Sequence, residues 1–336
     1  MNQTTSPFTR LGAAGPARVS TLGLGCMGMS GMYGNSDGAQ SIATIQAALD
    51  AGINLIDTGD FYGMGHNESL IGTAIEGRRD KAIISVKFGA LRSPDGGWTG
   101  VDGRPASVKN FLAYTLNRLG TDYIDIYRPA RLDPSVPIEE TIGAIADMVK
   151  AGYVKHIGLS EVGVDTIRRA HAVHPISDLQ IEYSLISRGP EEKIFPVLKE
   201  LGIGVTAYGV LSRGLLSGSK ATGATDYRSY LPRFSQDNAQ QNQRLVDTLN
   251  RLATAMGSTA SQVDIAWVIE QAKHMKIDLV ALVGSRTQKQ LAEAMQSQSV
   301  QLSAQNIAEI ESVMQTNTIA GTRYDSWQMG VLDSEK

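Results

Sequence analysis

The chain has one cysteine, Cys26, in 336 residues, and its five histidines stand singly. One thiol excludes an internal disulfide, and no Cys/His grouping has the spacing of a metal site. Long apolar runs are missing as well: nowhere do about 18 apolar residues follow one another, as a membrane helix requires. The opening MNQTTSPFTRLGAAGPARVS lacks the basic region and apolar core of a secretion signal. These absences predict a protein of the reducing cytoplasm with no membrane partner. Excess charge of one sign is also lacking, since 31 Lys and Arg face 34 Asp and Glu, for a net charge of −3. The basic residues are scattered rather than striped, which argues against a nucleic-acid partner. What remains is a chain with 42% apolar and 19% charged residues, enough to build a large core and too few charges for disorder.

Between residues 19 and 297 short β-branched runs alternate with segments of helical period, the pattern of repeated βα units. Strands are expected at 19–25, 53–57, 82–88, 123–127, 154–160, 178–183, 204–208 and 279–284. Helices are expected at 38–51, 67–77, 106–119, 138–151, 164–173, 190–200, 240–256, 259–272 and 287–297. Asn67 and Ser258 or Thr259 read as helix starts. Gly52, Gly120, Gly152 and Gly202 read as left-handed caps at helix ends. Eight strands each followed by helix close most simply into an α/β fold of the (β/α)8 type, with an open doubly wound sheet as the alternative. The alternative would want a phosphate loop after its first strand, and GLGCMG at 23–28 has the G-x-G-x-x-G form. MSGMYGNSDG follows where a helix should open, so these glycines are read instead as a close approach of main chain, Gly25 included, to a ligand. FTRLGAAGPARVS reads either as a hairpin that plugs the opposite end of the barrel or as a frayed terminus. The connections 89–105 and 211–239 are long enough to be lids or substrate loops.

In such a barrel the C-terminal strand ends share one mouth, where chemistry is found. Asp57 and Tyr62 in INLIDTGDFYG and Lys87 in AIISVKFG lie at two such ends. Together they form the pattern of a phenol made more acidic by an ammonium that a carboxylate holds charged. That pattern points to proton donation onto a carbonyl. Ser160, Gln180, Tyr208 and Ser285 fall at or just past further strand ends. Met27, near the first, would face a cofactor, while Trp98 in its Gly-rich loop would line a substrate pocket.

DTGDFYG, SVKFG, GYVKHIGLSE, LQIEYSL, AYGVLSRGLLSG and LVGSR, in this order and spacing, resemble the aldo-keto reductase superfamily over about residues 8–315. The resemblance implies one TIM-barrel domain over 1–336, with an N-terminal β-hairpin and a C-terminal helix and tail, the tail at 316–336. It implies NADPH-dependent reduction of small-molecule aldehydes or ketones, without metal. By that likeness Tyr62 is the general acid, Lys87 the group that tunes it and Asp57 the partner of Lys87. Ser160 and Gln180 would hold the nicotinamide carboxamide, and Tyr208 would stack on the ring. Gly209, Leu211, Ser212, Arg213 and Gly214 are similar to the pyrophosphate loop. Gly284, Ser285 and Arg286 resemble the site for an adenosine 2′-phosphate, which favours NADP(H). Gln290 and Glu293 match positions near the adenine.

Three departures stand out. In YRPARLDP, Ala130 takes the place where relatives often carry a catalytic histidine, and removing one such donor costs about 10²–10³ in rate. Arg128, His66 or a water are candidate substitutes, with a surface or salt-bridging role as the other reading of Arg128. Glu161 follows Ser160 where an asparagine is usual, and Ala294 stands where an asparagine often meets adenine. These departures raise two alternatives: an NADP(H)-binding sensor with slow turnover, or altered chemistry such as alcohol oxidation or C=C reduction. Small aromatic or aliphatic aldehydes are the expected substrates.

Overall fold

The computed structural model describes residues 6–221, 223 and 226–336. A two-stranded hairpin, β1 (Phe8–Thr9) and β2 (Val19–Ser20), comes first. Strands β3 (Leu22–Gly25), β4 (Leu55–Gly59), β5 (Ile83–Phe88), β8 (Ile124–Pro129), β9 (Val154–Ser160), β10 (Ile176–Glu182), β11 (Gly204–Tyr208) and β12 (Leu279–Gly284) then close into an eight-stranded barrel. All neighbours in the barrel are parallel. A second hairpin, β6 (Ala90–Arg92) and β7 (Trp98–Val101), occupies the connection after β5. Parallel strands buried on both faces need continuous apolar runs, which is why VSTLGLG, AIISVKF and LVALVG carry them.

The helices are α1 (Gly38–Asp50), α2 (His66–Ile75), α3 (Pro105–Leu119), α4 (Ile138–Lys150), α5 (Val164–Val173), α6 (Pro190–Leu201), α7 (Gln236–Ala255), α8 (Ala260–Met275), α9 (Gln288–Gln296), α10 (Ala304–Thr316) and α11 (Ser326–Val331). The four expected glycine caps all have positive φ, between 62° and 87°. Thr259 forms a full capping box with Gln262 at the start of α8. Asn67 is not a cap. It lies inside α2, where its side chain accepts from Thr58 Oγ1 at 2.7 Å and donates to the Cys26 carbonyl at 2.9 Å. The N-cap place belongs to Gly65, in the left-handed conformation, and Asn67 falls inside the helix.

The expected first strand, 19–25, divides at Thr21: its first part belongs to the hairpin and its second to the barrel. Between the hairpin strands, Leu11 packs with Val19, Leu55, Ile126 and Val280 as a separate apolar cluster that closes the barrel floor. The hairpin comes close to the barrel backbone: a Cβ on Gly12 would sit 2.0 Å from the Ser177 carbonyl oxygen. The G-x-G-x-x-G segment opens no helix, because a short 3-10 turn, Met27–Ser30, follows β3. The open-sheet alternative therefore falls.

Candidate active site

The barrel interior carries its charge in layers. Deepest is Arg128, fully buried, whose guanidinium donates to Asp178 at 2.9 and 3.3 Å and to Ser85 Oγ at 3.1 Å. Asp178 also accepts from Thr206 Oγ1 at 2.6 Å and Ser177 Oγ at 2.7 Å. Gly158 makes room for this pair, since a Cβ there would meet the Arg128 Cζ at 3.0 Å. Arg128 therefore does not reach the mouth as a substrate residue. Its side chain points inward, as strand parity allowed, but a buried guanidinium must lie against a carboxylate, and the nearest one is below it.

One layer higher, Asp57 gathers three donors. Lys87 Nζ bonds its Oδ1, while Ser85 Oγ at 2.9 Å and Gln180 Nε2 at 2.7 Å bond its Oδ2. The register sets Asp57 opposite Ser85 and Gly59 opposite Lys87, which brings the ammonium to the top of β5. Tyr62 follows β4 in a turn that needs three successive left-handed residues, Gly63, Met64 and Gly65. Its ring is held edge-on by Phe61 at 4.8 Å, and Lys87 Nζ stands 5.1 Å from its centre. Asp57, Tyr62 and Lys87 are thus one buried cluster at the mouth.

The electrostatics differ from the simple expectation. Burial pushes the Tyr62 phenol well above its ordinary pKa, and the Asp57 carboxylate pushes it further; Arg131 is the cation that pulls it back. Lys87 is driven below the usual lysine range by burial, against the pull of Asp57. Burial and the Asp57 carboxylate together thus hold Tyr62 protonated. That is the form a proton donor needs.

Of the residues expected at a cofactor, Ser160 is buried and its hydroxyl has no hydrogen-bond partner among the described residues. An orphaned hydroxyl at a strand end suits a carboxamide. Arg286, Gln290, Thr287 and the start of α1 line a cavity of about 210 Å³. In it the Arg286 guanidinium, among the described residues, donates only to carbonyls, those of Tyr33 at 3.0 Å and Asn35 at 3.4 Å. Ser285 is buried just behind, and Gly25 pairs with both Asp57 and Gly284 across the barrel. The half-buried Met27 starts the turn after β3. Gly209, Ser212, Arg213 and Gly214 have positive φ, and together with Leu211 they form a tight loop after β11. These residues fit a phosphorylated dinucleotide. Glu293 instead accepts from Thr259 Oγ1 at 3.1 Å and links α9 to α8.

The rim holds what the sequence did not disclose. Glu161, at φ 53°, is buried and accepts both guanidinium arms of Arg323, at 2.8 and 2.7 Å, and the Tyr208 hydroxyl at 2.7 Å. Burial raises its pKa, but Arg323 and Arg131 outweigh that and hold it at about 2. Tyr208 meets the Tyr324 hydroxyl at 2.9 Å. Glu182 pairs with Arg213 at 2.8 Å and Arg233 at 3.1 Å. Glu161 thus anchors the C-terminal tail rather than serving as an amide's substitute. The only sequence signal was an Arg-Tyr pair in the tail, beside two acids at strand ends. His66 is exposed and bonds Ser30 Oγ at 2.9 Å, so it does not fill the place of the missing imidazole. Trp98 packs edge-on to Phe61 at 5.5 Å, which sets the β6–β7 hairpin beside Tyr62. Among the described residues no grouping could hold a metal, and no helix is long and apolar enough to cross a membrane.

Known proteins resemble this chain in sequence and fold. Residues 21–315 match the Aldo/keto reductase family. A probable aldo-keto reductase 1 of Glycine max is 39% identical over 331 residues, spanning 96% of this chain and 93% of that protein. Among solved structures, a glycerol dehydrogenase from Gluconobacter oxydans superposes with a TM-score of 0.82 at 25% identity, over 96% of this chain and 98% of its own. The holo form of an aldo-keto reductase from Bacillus halodurans gives 0.75 at 26% identity, over 98% of this chain and 100% of its own. With its closed barrel and its mouth of Asp57, Tyr62 and Lys87, the chain belongs to the aldo/keto reductase family of oxidoreductases.

Proposed function

We propose that the protein reduces aldehydes or ketones to alcohols with NADPH. The observation that carries this reading is the buried Asp57–Lys87–Tyr62 cluster, with the protonated phenol at the barrel mouth. The nicotinamide, when bound, supplies a hydride to the carbonyl carbon. Tyr62 donates its hydroxyl proton to the carbonyl oxygen, and Lys87 offsets the negative charge left on the phenol. Asp57 fixes the ammonium, and Ser85 and Gln180 fix Asp57 in turn. Ser160 would meet the carboxamide with its free hydroxyl, and Arg286 would take the 2′-phosphate, where a planar guanidinium fork suits the anion. Tyr208 and the 209–214 loop with Arg213 would lie along the rest of the cofactor. Phe61 and Trp98 cover the approach to Tyr62 and keep water from it.

A panel of aromatic and aliphatic aldehydes, followed by NADPH absorbance, tests the reading. Turnover that survives in Tyr62→Phe at the wild-type rate would remove Tyr62 from the chemistry. A second reading, a cofactor-binding sensor, has its own support: Ala130 leaves out one donor, and Tyr208 is tied to the tail through Tyr324. Slow turnover on every carbonyl, together with tight NADPH binding, would favour it.

A further inference from the structure

Apart from Arg286, which lines the cavity proposed for the cofactor and meets only carbonyls among the described residues, six cations lie in the barrel interior or in the ionic network on its rim, and five of them have a carboxylate. Arg128 has Asp178, Lys87 has Asp57, Arg213 and Arg233 share Glu182, and Arg323 has Glu161 and Glu335. The sixth, Arg131, has none among the described residues. Its guanidinium is half-buried and touches two neutral oxygens, the Ala130 carbonyl at 2.6 Å and the Tyr324 hydroxyl at 3.3 Å. Glu161 is close enough to act on Arg131 through space. Its two oxygens, however, are already taken by Arg323, Ser334, Tyr208 and the Glu182 amide. Arg131 therefore keeps its charge through Glu161 acting at a distance, while its guanidinium, in no ion pair among the described residues, has donors to spare for an anion from outside the chain.

The barrel order indicates which side that anion comes from. The residues proposed for the cofactor lie on or after β9, β10, β11, β12 and β3, an unbroken arc of the closed sheet. The remaining arc is β4, β5 and β8, and it carries Tyr62, Lys87 and Arg131 in turn. Phe88 pairs with Pro129, and the Ala130 amide donates to the Phe88 carbonyl at 2.8 Å. Arg131 therefore leaves the barrel beside the strand that carries Lys87. It sits close enough to Tyr62 for its charge to pull the phenol's pKa down, on the arc that the cofactor residues leave open.

We propose that Arg131 is a substrate anchor, and that the preferred substrates are aldehydes or ketones that carry a carboxylate. The argument rests on the carbonyl-reductase reading above for the reaction, but on the unpaired guanidinium for the anion. A carboxylate fits better than a phosphate dianion, because on this arc Arg131 alone lacks an ion pair among the described residues, Arg286 lying with the cofactor residues after β12. The planar fork also matches the two oxygens of a carboxylate.

Two carboxylated aldehydes, 4-oxobutanoate and 4-carboxybenzaldehyde, are compared with their neutral primary amides in wild type, Arg131→Gln and Arg131→Lys. The ratio of kcat/KM for acid over amide is the readout, since intrinsic reactivity cancels between enzymes. In the wild type the acid of at least one pair should be preferred. Arg131→Gln should reduce that ratio by about 10–100-fold, mainly through KM, as expected for losing a hydrogen-bonded charge. Arg131→Lys, which keeps the charge without the fork, should retain part of the preference. An acid-over-amide ratio that is the same in wild type and Arg131→Gln would overturn the proposal. Calorimetric titration of 4-hydroxybutanoate and 4-carboxybenzyl alcohol into the NADP⁺-loaded protein separates this failure from failure of the parent reading, because it needs no turnover. Binding of either by the wild type and at least tenfold weaker binding by Arg131→Gln supports the anchor even if no aldehyde is reduced. Equal affinity in the two proteins, or no binding of either acid by the wild type, rules the anchor out. NADPH affinity, read by fluorescence quenching, should stay within about twofold in Arg131→Gln, and a larger loss would place Arg131 with the cofactor instead.

Discussion

The two ends of the barrel are built from opposite materials. The floor is apolar: Leu11, from the hairpin turn, is buried on Val19, Leu55, Ile126 and Val280. The mouth is ionic, with Glu161 and Glu182 buried under Arg213, Arg233 and Arg323. Burying apolar area stabilises without direction, whereas buried charges are weak contributors to net stability but fix positions. The floor should therefore govern how stable the fold is, and the mouth how fast it works.

The largest effect that would sharpen this contrast is on rate. Tyr62→Phe should lower kcat by about 10²–10⁴-fold, the usual value of a positioned acid. Its unfolding midpoint and NADPH affinity should stay close to wild type. Next is the deep pair, which belongs to neither end. Arg128→Met leaves Asp178 buried and unpaired and should cost about 3–5 kcal/mol in denaturant unfolding, whereas Arg128→Met with Asp178→Leu should recover most of it. A double variant no better than the single would show that Ser85 and Thr206, not the charges, hold that layer. At the floor, Leu11→Ala should cost about 2–5 kcal/mol with turnover per folded molecule unchanged. A fall in kcat at full folding would break the division between the ends.

Smaller effects come from titration. Lys87 sits below the usual lysine range and Tyr62 above the usual phenol range. As pH rises, the ammonium therefore loses its charge before the phenol loses its proton. The alkaline limb of kcat/KM for reduction should belong to Lys87 and should vanish in Lys87→Met, leaving a low, flat profile. Glu161 has a carboxyl depressed from 4.5 to about 2, so its contribution is full above pH 4.5 and is lost as pH falls from there toward about 2. Glu161→Gln should flatten that part of the acid stability curve and expose the chain after Thr316 to protease at neutral pH.

These contrasts were unevenly legible. Asp57, Tyr62 and Lys87 could be found because strand ends in a parallel barrel converge whatever the loops do, and the βα period set those ends to within a residue or two. Arg128 was left between substrate residue and salt bridge because parity reveals that a side chain faces inward but not at which height it finds a counter-charge, and the salt bridge is what formed. Asn67 was read as a cap because local sequence does not show that Thr58 and Cys26 will compete for its amide. The rim was least visible: Glu161 and Arg323 are 162 residues apart, and nothing periodic connects a tail to a strand end.

Sequence alone determined the count and order of the βα units, the hairpin and the cluster of acid and cation at the mouth, because hydrophobic period and glycine caps are local properties of the chain. Tertiary structure decided which charges became partners. Ion pairs form between side chains that close the longest loops, and their choice depends on height within the barrel and on what else has already been neutralised. That is how five cations found carboxylates and Arg131 did not.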